Sequence, residues 1–308
     1  MSEPAPLRSL LFVPGDSERK QARALASEAD ALVLDLEDSV IPGQLPAARA
    51  RVARLVSSHA PQAAPQLWVR VNAPSSGAFR QDLEAVCGHR MPDGVVLPKI
   101  SAPAEIIEAA DYLTALETRL GLTPPVSRLL VIATETPQGL LALPQYLPVL
   151  GPSRAMARLA GLTWGAEDLG AALGVRDRRE PGGGLTFTFR LARSLCLLTA
   201  AALGVQAVDT VHVDFHDAPG LETSLGEARR DGFSGKLAIH PDQVAAINAA
   251  FTASEAELEH ARRVVAAFAA SAGAGVVSLD GQMIDRPHLL QAQRLLAQAR
   301  HPRRLGLR

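Results

Sequence analysis

The chain has 308 residues, of which 47% are hydrophobic and 20% charged, with a formal net charge of -1. That composition is globular rather than disordered, and the length suits one large core or two small ones. Lys+Arg 31 against Asp+Glu 32 leaves no bulk positive field, which argues against a nucleic-acid binder.

Short apolar runs rich in β-branched residues recur along the chain. In order they are SLLFVPG (9–15), ALVLDLED (31–38), LWVRVN (67–72), GVVLPKI (94–100), LLVIATET (129–136), LAGLTWGAED (159–168), AVDTVHVDF (207–215) and GKLAIHP (235–241). Between them lie alanine-rich stretches with apolar residues at helical spacing and Ser, Asp or Pro near their starts. Near-continuously apolar strands alternating with helices predict a parallel α/β fold, a (β/α)8 TIM barrel. An open doubly wound sheet is the alternative. It is disfavoured because VPGDSE after the first strand has one glycine where a dinucleotide fingerprint needs three.

After Pro241 the pattern changes to two helices, a strand-like VVSLDGQMID and a last helix, PHLLQAQRLLAQAR. We therefore expect a barrel domain over 1–245 and a C-terminal helical extension over 246–308, with the glycine-rich SAGAG (271–275) as a hinge. The basic end ARHPRRLGLR reads as a solvated terminus. Cys87 and Cys196 lie in apolar helical stretches without metal-ligand spacing and read as buried thiols. No apolar stretch reaches membrane-spanning length, and MSEPAPLRS lacks a signal peptide's charged start and apolar core. A cytoplasmic protein is expected.

The strand ends carry the chemistry. Every strand but the first finishes near an ionisable group: Asp35, Glu37 and Asp38; Arg70; Lys99; Glu135; Glu167 and Asp168; Asp214; His240. In a barrel these ends converge on the face where active sites lie. Glu135 and Asp168 follow adjacent strands, and two neighbouring carboxylates need a shared proton or a cation. Oxygen donors without nearby Cys or His point to Mg²⁺. Arg70 and Lys99 supply cations opposite the metal, and the planar fork of Arg70 suits a substrate carboxylate or a carbonyl oxygen. Arg70 also has an ion-pair reading with Glu37 or Asp38, which would orient it. His240 is either a wall residue or a base. A metal and an arginine facing a small keto or dicarboxylic acid suit making or breaking a carbon–carbon bond through a metal-stabilised enolate.

The chain resembles the citrate lyase β-subunit-like family of the HpcH/HpaI aldolase superfamily, which includes citramalyl-CoA and malyl-CoA lyases. The resemblance rests on RSLLFVPG, VLDLEDSV, VRVN, LPK, TETPQG, WGAEDLGAALG, VDFHD, GFSGKLAIHPDQV and GQMIDRPHLLQA, in that order over nearly the whole length. It implies a Mg²⁺-dependent barrel assembled as a homotrimer or hexamer. Glu135 and Asp168 would be the metal ligands and Arg70 the residue that grips substrate. Asp285 would be the acid/base that a neighbouring subunit delivers; without the resemblance it reads as a helix cap ahead of Pro287. The substrates implied are acyl-CoA thioesters such as citryl-, malyl- or citramalyl-CoA, cleaved to a keto acid and a shorter acyl-CoA. Arg19 and Lys20 are candidates for gripping the CoA moiety, or simply a solvated helix face. Trp164 is expected against the metal site, where its bulk would shrink the acyl pocket. The alternatives are an aldolase on a free hydroxy-keto acid, malate synthase or acyl-CoA thioesterase activity, and a non-catalytic subunit of a citrate lyase-like complex.

Overall fold

A computed structural model of the protein describes residues 6–60, 64–88, 90–271 and 275–300. Eight parallel strands close a barrel in sequence order: β1 (Ser9–Pro14), β2 (Ala31–Asp35), β3 (Gln66–Arg70), β4 (Gly94–Leu97), β5 (Arg128–Ile132), β6 (Leu159–Thr163), β7 (Gln206–Asp209) and β8 (Gly235–Ala238). The helices are α1 (Glu18–Leu25), α2 (Leu45–Ser58), α3 (Phe79–Val86), α4 (Pro103–Arg119), α5 (Pro137–Ala142) and α6 (Tyr146–Leu150). They continue as α7 (Ala166–Leu173), α8 (Phe187–Leu203), α9 (Ala218–Asp231) and α10 (Val244–Ala250). The expected (β/α)8 architecture is present.

Two buried layers follow from strand alternation. Leu10, Val33, Trp68, Val96, Leu130 and Leu237 fill the barrel interior, while their alternates join one large cluster with the helices. Trp68 fits because its register partner on β4 is Gly94, where a Cβ would sit 2.3 Å from the indole ring. At the N-terminal end, Arg158 and Glu117 form a fully buried pair at 2.5 Å, and the backbone N–H of Ser127 also donates to Glu117. Conserving such a pair's geometry is a matter of stability, because this is the face opposite the strand ends.

The barrel unit runs past 245. Helix α10 packs on β1 and β8, and Asn248 accepts from the Ser9 hydroxyl and donates to the Glu28 carbonyl, both at 2.7 Å. Beyond it lie α11 (Glu255–Ala270), an antiparallel hairpin of β9 (Val276–Leu279) and β10 (Gln282–Asp285), and α12 (Arg286–Arg300). These bury their own cluster of Ala261, Val264, Val277, Ile284 and Ala292. An Arg229–Glu257 pair at 2.7 Å ties α9 to α11. Residues 272–274 of the expected hinge and 301–308 of the basic end lie outside the described residues. No helix among the described residues is long and apolar enough to cross a membrane.

Candidate active site

At the C-terminal end of the barrel, register brings Asp35 of β2 directly beside Arg70 of β3. The guanidinium engages Asp35 with two prongs, Nε to Oδ1 at 2.7 Å and Nη2 to Oδ2 at 2.8 Å. Its third nitrogen, Nη1, stands 3.0 Å from Glu37 and 3.8 Å from Asp38, and the group lies 4.8 Å over the Phe12 ring. Burial alone would raise the Asp35 pKa, but the bond to Arg70 and its charge, with the Ser39 and Glu37 N–H donors, hold it below the ordinary range. Burial likewise works against the Arg70 cation, and Asp35 outweighs it. The expected contacts to Glu37 and Asp38 are there, but the principal partner is Asp35, which sequence reasoning does not single out. Its position as the last residue of β2 was the available signal.

Glu135 follows β5 and is 4% exposed. Its Oε2 accepts the Lys99 backbone N–H at 2.6 Å. Gly165 makes room for it: a Cβ there would stand 2.5 Å from the Glu135 Cγ. Asp168 sits in the first turn of α7, not at the end of β6, and is partly exposed there, where the helix dipole favours a carboxylate. Burial raises the Glu135 pKa to about 8 despite the Lys99 N–H, and the charges of Glu37 and Asp168 add to it. Burial also raises Glu37 to about 7, only partly offset by Arg70 and Lys99.

Lys99 does not stand opposite this pair as expected. Its ammonium lies among the acids, 2.6 Å from Glu37, 2.9 Å from Asp38 and 3.5 Å from Asp168. Burial works to lower its pKa, but the bonds to Glu37 and Asp38 hold it above the ordinary lysine value. Five carboxylates (Asp35, Glu37, Asp38, Glu135 and Asp168) thus gather around two cations, Arg70 and Lys99. Such an excess of negative charge, with Glu135 buried beside like charges, fits a divalent cation held by Glu135 and Asp168. Among the described residues no group of three or more His, Cys, Asp or Glu could hold a metal, so the protein would supply two carboxylates to such an ion.

Other expectations need correction. Trp164 faces the helices, not the metal site: it is buried in the outer cluster and its indole N–H donates to Asp209 at 2.7 Å. The cause is a register shift in β6, where Leu129 pairs with Leu159 but Leu130 pairs with Gly161. The extra residue, Ala160, packs on the interior, and the in–out parity reverses beyond it. Strand β7 stops at Asp209 because its neighbours β6 and β8 offer no further pairing. Asp214 is an exposed loop residue, and the strand's own acid, Asp209, is buried with Lys236 at 3.0 Å and Arg193 at 3.1 Å. His240 caps the turn after β8, accepts the Asp242 N–H at 3.3 Å and stacks on Phe215 at 4.8 Å. Arg19 and Lys20 are exposed in the first turn of α1, just after β1. Asp285 ends β10 in the extension, half-exposed, with its carboxylate 2.6 Å from the His288 Nδ1. Cys87 and Cys196 are free, buried thiols, as expected.

Comparison with known proteins places the chain in a family. The HpcH/HpaI aldolase/citrate lyase family matches residues 8–241, and a family of C-C bond lyases of the TIM-barrel fold matches residues 190–301. A mitochondrial citramalyl-CoA lyase of Rattus norvegicus is 33% identical over 300 residues, spanning 96% of this chain and 86% of its own. A (3S)-malyl-CoA thioesterase of Cereibacter sphaeroides (strain KD131 / KCTC 12085) is 34% identical over 296 residues, 96% of this chain and 95% of its own. The crystal structure of CitE from Mycobacterium tuberculosis, in complex with magnesium, acetoacetate and coenzyme A, is similar at a TM-score of 0.73 and 33% identity. That likeness covers 96% of this chain and 98% of the other.

Proposed function

The chain belongs to the HpcH/HpaI aldolase/citrate lyase family, and from that membership we propose a Mg²⁺-dependent carbon–carbon lyase that splits a 3-hydroxyacyl-CoA into a keto acid and a shorter acyl-CoA. Citryl-, malyl- and citramalyl-CoA are the candidate substrates. The observation that carries the reading is the buried Glu135, pressed by Glu37 and Asp168, at the mouth of a barrel whose strand ends also present Arg70. Glu135 and Asp168 would hold Mg²⁺, which supplies positive charge to polarise the substrate's carbonyl oxygen.

The chain's own groups do the rest. Arg70, held along one edge by the two oxygens of Asp35, presents Nη1 toward the mouth acids and would turn it to a substrate carboxylate. In the cleavage direction the 3-hydroxyl loses its proton as the carbon–carbon bond breaks, and the acyl-CoA carbon gains one. Asp285 of a second copy would deliver that proton, since Asp285 sits in the extension, which packs its own cluster. That role makes a homotrimer or hexamer the working assembly, and the exposed Met283 and Leu290 beside Asp285 suit burial in it. Arg19 and Lys20, at the rim after β1, would meet the phosphates of CoA. The two unpaired thiols suit a reducing compartment such as the cytoplasm.

A thioesterase of comparable similarity supports a second reading, hydrolysis of the thioester. One experiment separates the two. Each acyl-CoA is incubated with the enzyme in Mg²⁺ or in EDTA, and keto acid and free CoA thiol are both measured. Keto acid without thiol indicates the lyase, and thiol indicates the thioesterase. Full turnover in excess EDTA would refute the metal assignment.

A further inference from the structure

Among the described residues, two that are not glycine hold a left-handed backbone: Lys99 at φ 53° and Asp280 at φ 52°. Asp280 needs no special account, since Asp280-Gly281 forms the two-residue turn between β9 and β10 and both turn residues require positive φ. Lys99 joins β4 to α4, where no hairpin imposes that conformation. A long L side chain adopts it only where the surroundings enforce it.

The enforcing contacts run in two directions. From the main chain, the N–H of Lys99 reaches Oε2 of Glu135 at 2.6 Å. From the side chain, the ammonium reaches Glu37 at 2.6 Å and Asp38 at 2.9 Å, with Asp168 at 3.5 Å. Glu37 in turn meets Arg70 through its other oxygen at 3.0 Å. One residue therefore touches both carboxylates assigned to the metal and the acid beside the arginine.

We propose that Lys99 is a positioning residue with two separable tasks: its left-handed main chain aims an N–H that fixes Glu135, and its ammonium sets Glu37 and Asp38 for Arg70. The inference rests on the reading of Glu135 and Asp168 as Mg²⁺ ligands. The main chain matters to the metal pair and the ammonium to the substrate side. The ammonium also adds a positive charge 3.5 Å from Asp168, against which a divalent cation must bind.

Two substitutions separate the tasks, since each removes the ammonium but only glycine takes positive φ freely. Mg²⁺ binding is measured by calorimetry on the full chain, and binding of oxaloacetate, a keto-dicarboxylate probe, at saturating Mg²⁺. Lys99→Gly should bind Mg²⁺ as tightly as the wild type or tighter. Lys99→Ala, strained at this φ, should bind it roughly three- to tenfold more weakly than Lys99→Gly. Both should lose roughly tenfold or more in oxaloacetate affinity. Equal Mg²⁺ affinity of the two variants overturns the main-chain task, and unchanged oxaloacetate affinity overturns the side-chain task. A wild type that binds no Mg²⁺ would instead overturn the metal reading, and this inference with it.

Discussion

Replacing Glu135 by Gln removes an ionisable group from the most crowded point of the site and keeps its shape. In the folded, metal-free protein burial raises the Glu135 pKa from 4.5 to about 8. The folded state therefore holds a proton that the unfolded state has already lost across that interval. The stability this lends is fully present below pH 4.5 and is lost as pH rises through about 8. At pH 7 the shift corresponds to roughly 3 kcal/mol, and roughly 1–3 kcal/mol once the neighbouring acids share the burden. Glu135→Gln, neutral at every pH, should escape this loss. Differential scanning calorimetry in EDTA should show little difference between variant and wild type at pH 5. At pH 8.5 the variant should melt roughly 2–10 °C higher. Added Mg²⁺ should reverse the order, raising the wild type by mass action and leaving the variant unmoved. A difference in melting temperature that is the same at both pH values would refute the electrostatic argument, and a Mg²⁺-induced rise in the variant would refute the ligand assignment.

Four further outcomes follow from the same geometry. Gly165→Ala places a Cβ 2.5 Å from the Glu135 Cγ, so Mg²⁺ affinity should fall at least roughly tenfold while circular dichroism reports an intact barrel. Arg70→Lys keeps the charge but loses the two-pronged hold on Asp35, and kcat/KM should drop by roughly 100-fold. Asp285→Ala and Glu135→Gln, each inactive alone, should regain partial activity when refolded together; mixed oligomers without recovery would exclude action between subunits. By contrast Glu117→Gln leaves buried Arg158 without its counter-charge, at a cost of roughly 3–5 kcal/mol. It should lower the melting temperature by roughly 10 °C with KM unchanged, since it lies at the opposite end of the barrel.

The barrel and the two carboxylates proposed to hold Mg²⁺ are legible because they follow from local pattern: apolar runs, helical spacing and acids just past strand ends. What sequence could not show was register. Asp35 stood in plain view, but its claim on Arg70 depends on β2 and β3 being paired residue for residue at that level. Alternation alone puts Trp164 on the metal side, but one extra residue in β6 reverses parity, and periodicity carries no mark of a bulge. The run AVDTVHVDF has strand composition through residue 215, yet a strand needs neighbours to pair with, and β7 runs out of them after Asp209. Sequence gives the charge of Lys99 without its direction, and the backbone turns it back onto the acids.

The extension's private cluster has a consequence for how subunits would meet. With Ala261, Val264, Val277, Ile284 and Ala292 already packed together, α11, the hairpin and α12 arrive as a finished body. In the proposed assembly, docking such a body over a neighbour's barrel immobilises few backbone torsions, so most of its contact energy is retained as affinity. The heat-capacity change of assembly should accordingly track the apolar surface covered at the junction, such as Met283 and Leu290, without the larger contribution of a segment folding as it binds. Subunit exchange would then be governed by how quickly preformed surfaces separate.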